Sequence, residues 1–316
     1  MRIVAALGGN ALLRRGETPD AGVQLSHVIE AVEALAPLAD EHELVITHGN
    51  GPQVGMLAVE SAADPALSVP YPMDVLGAQT QGMIGYWLTR ELRNARPGRR
   101  IVALITETLV RADDPAFGNP TKFVGRLYTV EEARHLTATR AWAMREDGAA
   151  WRRVVPSPEP QDILELPAIT LLLASGWIVI AAGGGGVPVT SNGRTAQSHG
   201  ADAVVDKDLT AALLAERLNA DALLLLTDVP GVIVGFGTPQ ARPLGPTTPA
   251  QLRSLHLAEG SMGPKADAAC RFVEHRPDAL AAIGTLTDAA ALLTGHTGTV
   301  IRSGTASVEP AGSTDT

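Results

Sequence analysis

The sequence predicts an α/β sandwich built on an open, mostly parallel sheet. Two observations support this fold class: short, continuously apolar runs recur along the chain, and amphipathic helical stretches lie between them. Continuous apolarity is typical of parallel strands that helices cover on both faces. The alternating order of strand and helix is the pattern of an α/β fold.

Six apolar runs are candidates for the strands of this sheet. They cover residues 2–7, 43–47, 101–105, 177–182, 222–226 and 280–284. The helix candidates are 24–40, 52–63, 74–95, 161–175, 208–219, 248–258 and 264–275. Ligands of open α/β sheets bind beyond the carboxyl ends of the strands, so we expect the functional site in the loops that follow these runs.

Composition excludes several classes of protein. With 316 residues, 45% hydrophobic and 19% charged, the chain can bury a large core. The net charge of −9 argues against a nucleic-acid binder. A single cysteine, Cys270, excludes a disulfide framework and a cysteine-based metal cluster. The longest apolar runs have the length of strands, so we expect a cytoplasmic protein with no membrane span.

Two segments depart from the alternating pattern. Residues 111–158 form a long insertion between a strand candidate and a helix candidate. A loop of that length inside a compact domain is typical of a lid or a small subdomain. Residues 303–316 are small and polar, which predicts a flexible tail.

Glycine clusters follow four of the strand candidates. The residues in or beside them that we select as candidate ligands are Gly8, Gly9, Asn10, Gly49, Asn50, Gly51, Gly184, Gly185, Thr227, Asp228 and Val229. Glycine lets backbone N–H groups approach an anion without an intervening Cβ. Four such clusters at one edge of a sheet favour a polyanion site. The motifs GxxxxGK[ST] and GxGxxG do not occur, which argues against a P-loop or a dinucleotide-binding fold.

The basic residues are strongly biased towards arginine. Of the 25 Lys and Arg residues only three are lysine: Lys122, Lys207 and Lys265. Lys207 and Lys265 fall at predicted helix N-termini, where the helix dipole disfavours a cation, so a bound anion is expected to compensate. Asp208, next to Lys207, is a candidate N-cap. Surface lysines kept by chance are the alternative explanation.

Taken together, the motifs resemble those of the carbamate kinases, a group within the amino acid kinase family. The likeness runs in order from residue 1 to about residue 302. It rests on GGNAL (8–12), HGNGPQVG (48–55), TQGMIGYWL (80–88), NPTK (119–122), WRRVVPSP (151–158), GGGGVPV (183–189), AVVDKD (203–208) and GSMGPK (260–265).

The resemblance implies a fold, a reaction and an assembly. The fold would be a three-layer α/β/α sandwich over residues 1–302 with a protruding lid subdomain at 111–158. The reaction would be reversible phosphoryl transfer between ATP and carbamate, giving ADP and carbamoyl phosphate. Mg²⁺ would enter with the nucleotide, with no metal bound by the protein itself and no prosthetic group. A homodimer, and the ATP-forming direction in arginine or agmatine catabolism, are also implied.

The resemblance also implies roles for individual residues. Lys207 and Lys265 would bind ATP phosphates, and Asp208 would hold the two ammonium groups in place. Lys122 would reach the transferred phosphate when the lid closes. The glycine and asparagine residues after the first two strands would cradle the phosphoryl group and carbamate. The nucleotide would lie near Gly184, Gly185, Thr227, Asp228, Val229 and Met262.

Several alternatives stay open at this stage. A kinase of the same fold could act on another small carboxylate, although no motif supplies an arginine for a second carboxylate. A catalytically silent protein that senses ATP or carbamoyl phosphate is the second alternative. Arg152 and Arg153 could touch phosphate or brace the lid, and we favour bracing. His48 lacks metal-ligand companions, which favours a structural role.

Overall fold

The computed structural model of the protein describes residues 1–14, 16–191, 197–255, 257 and 262–304. The helices are α1 (Ala21–Glu41), α2 (Gly51–Ala63), α3 (Met73–Ala95), α4 (Val130–Arg140), α5 (Leu166–Ala174), α6 (Lys207–Arg217), α7 (Pro249–Arg253), α8 (Met262–His275) and α9 (Ala289–Thr294). Within the described ranges, no helix is both long enough and apolar enough to cross a membrane.

The strands are mostly short. They are β1 (Arg2–Leu7), β2 (Glu43–His48), β3 (Arg100–Ala103), β4 (Glu107–Val110), β5 (Lys122–Tyr128), β6 (Met144–Asp147), β7 (Ala150–Val155), β8 (Pro160–Ile163), β9 (Trp177–Ile180), β10 (Val187–Ser191), β11 (Ser198–Gly200), β12 (Ala222–Thr227), β13 (Ile233–Val234), β14 (Arg242–Pro243), β15 (Leu280–Thr285) and β16 (Thr299–Ile301).

A seven-stranded sheet forms the centre of the molecule. Its order is β16-β15-β12-β1-β2-β9-β3. All neighbouring strands run parallel except β15 and β16. Every strand predicted from an apolar run lies in this sheet, so the prediction of an open, mostly parallel sheet is confirmed.

Helices cover both faces of the central sheet. Side chains alternate along β1: Val4 and Ala6 join one buried cluster, whereas Ile3, Ala5 and Leu7 join the other. The first cluster includes residues of α5, α6, α7 and α8, and the second includes residues of α1, α3 and α9. The fold is therefore a three-layer α/β/α sandwich, as the resemblance implied.

Two smaller sheets lie beside the central one. Strands β11, β10, β4 and β8 form a four-stranded sheet, and β5, β7 and β6 form an antiparallel sheet. The second of these, together with α4, falls inside the insertion predicted at 111–158. We call β5, α4, β6 and β7 the lid subdomain. Its role as a lid stays a prediction.

Two helix predictions were wrong at their ends. The helix expected at 161–175 begins only at Leu166, because Pro160–Ile163 pairs as β8 with β4. Pro167 stands in the first turn of α5, where its missing N–H costs nothing. The helix expected at 248–258 ends at Arg253. Residues 256 and 258, like most of the predicted tail (305–316), lie outside the described residues.

Candidate active site

A cleft of about 330 Å³ opens at the carboxyl edge of the parallel strands β1, β2 and β12. Loops after these strands, the start of α6 and the start of β5 line it. The predicted site residues that line this cleft are Gly8, Gly9, Asn10, Gly49, Asn50, Gly51, Lys122, Gly184, Lys207, Asp208, Thr227, Asp228 and Lys265. Sheet topology thus gathers residues that are far apart in the sequence.

Three predicted residues lie outside the lining of the cleft. Gly185 is buried and packs closely on Val205. A Cβ on Gly185 would lie only 2.3 Å from the Val205 carbonyl oxygen. Met262 packs against the hydrophobic cluster that contains α8. Val229 is one residue beyond the lining residue Asp228. Their predicted nucleotide contacts gain no support from this geometry.

Asp208 joins two of the three lysines. Its Oδ1 accepts a short hydrogen bond from Lys207 Nζ, and its Oδ2 accepts one from Lys265 Nζ at 3.2 Å. The Asp208 side chain is only 5% exposed, so the carboxylate is shielded from water. A buried charge needs such partners, because desolvation without them costs several kcal/mol. The contact expected of Asp208 is therefore present, and its catalytic role stays a prediction.

Lys207 carries a perturbed ammonium group. Burial lowers its pKa, Asp208 raises it, and the charge on Lys265 lowers it again. The net pKa is below the ordinary value for lysine. Each ammonium group has three N–H donors and uses one of them on Asp208, so both lysines keep donors for an anionic ligand.

The N-cap of α6 is Asp206, not Asp208 as the sequence suggested. Asp206 Oδ1 accepts hydrogen bonds from the backbone N–H groups of Asp208 and Leu209, at 2.9 and 3.3 Å. The helix therefore begins at Lys207, and Asp208 stands inside its first turn. Asp206 and Asp208 flank Lys207 on either side. A predicted helix start at Lys207, instead of after Asp208, would have identified Asp206 as the N-cap.

Lys122 enters the cleft from the lid subdomain. Its Nζ lies 2.8 Å from Asp206 Oδ2, and 84 residues separate the two in the sequence. Burial raises the pKa of Asp206, but the charge and hydrogen bond of Lys122, with Lys207 and the capping N–H groups, bring it down to about 2. All three lysines of the chain thus meet around one cleft, each paired with an aspartate of α6 or its cap.

The loops after β1 and β2 touch through their backbones. A Cβ on Gly49 would lie 2.9 Å from the backbone nitrogen of Gly9 and 3.3 Å from Cδ of Lys207. Only glycine permits this approach. Asn10 Nδ2 donates to Asp228 Oδ2 at 2.9 Å, which links the β1 loop to the β12 loop.

Asp228 is ionised under ordinary conditions. Burial raises its pKa, whereas hydrogen bonds from Asn10 and Thr227 and the charge of Lys265 lower it, and the net pKa is below the usual range. Hydrogen bonds among the polar groups around the cleft therefore hold these groups in position.

The glycine run 183–186 packs beneath the cleft. A Cβ on Gly183 would lie 2.3 Å from His48 Nε2, and one on Gly184 would lie 2.2 Å from Asn50 Nδ2. Asn50 Nδ2 in turn donates to Thr80 Oγ1 at 2.8 Å. The run lets the β2 loop sit close to its neighbours, which is a packing role that the sequence analysis did not foresee.

His48 is buried and uncharged at neutral pH. Burial lowers its pKa to about 4, with a further lowering by the charge on Lys207, while its contact with the Gly49 carbonyl oxygen opposes this. The ring Nδ1 lies 3.1 Å from that oxygen. The structural role favoured for His48 agrees with this environment.

Arg152 and Arg153 contact other residues of the lid subdomain. Arg152 pairs with Asp147 at 2.7 Å, and the Arg153 guanidinium stacks on Trp142, 4.4 Å from the ring centroid. These contacts agree with bracing of the subdomain.

Among its described residues, the chain offers little to hold a metal ion. Within the described ranges, no group of three or more His, Cys, Asp or Glu side chains is arranged to hold one. The cleft carboxylates are already engaged, because Asp206 and Asp208 pair with lysines and Asp228 accepts from Asn10.

The known proteins that resemble this chain point to one family. The amino acid kinase family model matches residues 1–279. The chain is 48% identical to a carbamate kinase of Rhizobium meliloti over 96% of this chain and 94% of that protein. It is also 48% identical to a carbamate kinase of Escherichia coli K12, over 95% and 98%.

Solved structures of similar proteins have the same fold as this chain. Carbamate kinase from Giardia lamblia bound to AMP-PNP superposes with a TM-score of 0.88 at 38% identity, covering 96% of this chain and 98% of that one. N-acetylglutamate synthase from Neisseria gonorrhoeae shares the fold alone, with a TM-score of 0.57 at 15% identity. The chain belongs to the amino acid kinase family and, within it, to the carbamate kinases.

Proposed function

We propose that the protein transfers a phosphoryl group reversibly between ATP and carbamate, giving ADP and carbamoyl phosphate. The observation that carries this proposal is the convergence of Lys122, Lys207 and Lys265 on one cleft. The relatives named carbamate kinase support the choice of acceptor. The Giardia relative bound to AMP-PNP supports use of a nucleotide.

Carbamate is already an anionic oxygen nucleophile, so its attack on the γ-phosphoryl group needs no general base. The catalytic task is to hold two anions in line and to neutralise charge on the transferred group. Lys207 and Lys265 supply charge that Asp208 holds in position. His48 lies outside the lining of the cleft and its pKa of about 4 makes it a poor proton acceptor, which fits a reaction without a base.

Mg²⁺ supplies charge neutralisation at the nucleotide phosphates when it is bound. We propose that it enters on ATP or ADP, because the cleft carboxylates are occupied by lysines and Asn10. Asp206 and Asp208 therefore position lysine ammonium groups rather than serve as a dedicated metal site.

Assembly and physiological direction are further parts of this proposal. We expect a homodimer, in line with the family resemblance. Light scattering after size-exclusion chromatography measures the mass of the assembly and so tests this expectation. Exposed Tyr86 and Ile105, beside the edge strand β3, are apolar surface that a second copy could cover. The proposed direction is ATP formation in arginine or agmatine catabolism, in the cytoplasm.

One assay tests the activity. Purified protein with Mg²⁺ and ADP is mixed with carbamoyl phosphate, and ATP is measured by luciferase. Rapid ATP formation supports the proposal. Binding of both ligands without ATP formation would indicate a sensor. If neither binding nor turnover occurs, a different carboxylate acceptor becomes the better hypothesis, and acetylated amino acids with ATP are tested next.

A further inference from the structure

Asp206 makes two separate sets of contacts with its two carboxylate oxygens. Oδ1 caps α6 through the N–H groups of Asp208 and Leu209. Oδ2 accepts from Lys122 Nζ at 2.8 Å. The cap alone would need one oxygen and no charge, since asparagine caps a helix equally well. The second contact is therefore not explained by helix capping.

The backbone of β5 is fixed near Lys122 as well. A Cβ on Gly55 of α2 would lie 2.9 Å from the backbone nitrogen of Gly125 in β5. Gly125 has a positive φ of 78°, next to an irregularity in the pairing of β5 with β7. This part of the lid subdomain thus packs backbone to backbone on α2, the helix that begins at the Asn50–Gly51 turn.

The Lys122 side chain reaches from this anchored strand into the cleft. It is 41% exposed, whereas that of Asp206 is 14% exposed. A long, half-exposed lysine has many rotamers, and a single fixed carboxylate selects among them. A carboxylate of the protein itself therefore holds the Lys122 ammonium group in the cleft.

We propose that Asp206 is a positioning residue, which preorganises the Lys122 ammonium for the transferred phosphoryl group. This inference rests on the proposed function, because it assigns Lys122 to the phosphoryl group. Asp206 acts through Lys122 and independently of its capping of α6. The benefit is that less side-chain entropy is lost when the phosphoryl group arrives.

A double-mutant cycle separates the two roles of Asp206. Asp206→Asn keeps a capping oxygen and removes the charge that faces Lys122. We expect it to lower kcat/KM for ATP formation by about 10- to 100-fold in the otherwise native chain. In a Lys122→Met background the same substitution should change kcat/KM by no more than about twofold, because the partner is already absent. Asp113→Asn, an exposed acid paired with Arg111, is the charge-matched control.

A second measurement does not depend on turnover. Because the chain has three lysines, ¹³Cε-lysine labelling gives three NMR signals, which Lys122→Met helps to assign. In the wild-type protein without ligand, the Lys122 signal should relax as an ordered side chain. In Asp206→Asn it should relax as a mobile one, while the relaxation of the Lys207 and Lys265 signals stays the same.

Two results would overturn the inference. One is an equal loss of activity from Asp206→Asn in both backgrounds, which would assign its effect to α6. The other is a Lys122 signal that is equally mobile in wild type and variant. If the protein forms no ATP at all, the proposed function fails, while the relaxation data still decide whether Asp206 orders Lys122.

Discussion

Lys265 Nζ lies 3.2 Å from Asp208 Oδ2, although 57 residues separate them in the sequence. The contact joins the first turn of α8 to the first turn of α6. Since Asp208 also binds Lys207, one buried carboxylate sets the positions of two ammonium groups. The geometry of both cations depends on the compact shape of the lysine head group.

Arginine should not replace lysine at either position. We expect Lys207→Arg and Lys265→Arg to lose nearly as much activity as the alanine variants, about 10²–10³-fold in kcat. The planar guanidinium keeps the charge but cannot occupy the space beside Asp208 in the same way. Steady-state ATP formation measures the loss, and circular dichroism checks folding.

Arg217→Lys is the matched control for the lysine variants. It is the reverse exchange on the same helix, at a half-exposed site 3.6 Å from Asp162. Its activity should match that of the wild type. If Lys207→Arg turned over normally, the requirement for a compact cation at that site would be refuted.

Asp208→Asn should shift the pH dependence of activity. Asp208 is the main group that raises the pKa of Lys207 against burial and the charge of Lys265. Without it the Lys207 pKa falls further, so the ammonium is lost at lower pH. We expect the alkaline limb of kcat/KM to move to lower pH than in the wild type.

The same shift should be visible directly. Titration of the ¹³Cε-lysine signals reports the Lys207 pKa, and it should be lower in Asp208→Asn. Asp162→Asn, which removes an acid outside the cleft, should leave it unchanged. An unmoved Lys207 signal in Asp208→Asn would show that the carboxylate does not control this ammonium.

His48 should make the protein less stable in mild acid. Its folded-state pKa is about 4, below the ordinary 6.5, so between these values the unfolded chain binds the proton that the folded chain excludes. Stability therefore falls as pH drops from 6.5 to 4. Between pH 7 and pH 5 the contribution is about 2 kcal/mol.

Urea unfolding at both pH values tests this in the wild type and in His48→Gln. The loss between pH 7 and pH 5 should be smaller in the variant, since glutamine does not titrate. Other groups titrate in both proteins and cancel in the comparison. Equal losses in the two proteins would mean that His48 does not cause the acid sensitivity.

The central sheet was predictable from the sequence because its strands are buried on both faces. Runs such as 222–226 are apolar throughout, and that signal does not depend on distant contacts. The lid strands were not predicted. β5 is a half-exposed antiparallel strand with an irregular pairing around Gly125, so its hydrophobic pattern is weak.

The site was predicted to the level of its three lysines and of Asp208, but the contact of Lys122 with Asp206 was not predicted. Lys122, Lys207 and Lys265 stand out because the chain has no other lysine. The pairing of Lys122 with Asp206 joins two segments 84 residues apart, and no local pattern encodes it. The cap of α6 was assigned to the wrong aspartate, because the first helical residue is decided by tertiary contacts as well as by propensity.

Gly184 should not tolerate a side chain, although it is not itself charged or reactive. Its φ is +66°, and a Cβ there would lie 2.2 Å from Asn50 Nδ2. Gly184→Ala must therefore displace Asn50 from Thr80 and disturb the turn that begins α2. We expect a loss of stability of about 1–3 kcal/mol together with a loss of activity. Gly22→Ala on α1 is the matched control, because nothing lies within 4 Å of the added carbon. It should be neutral or stabilising by about 0.5–1 kcal/mol in urea unfolding. Normal activity and stability in Gly184→Ala would refute the packing role of the glycine run.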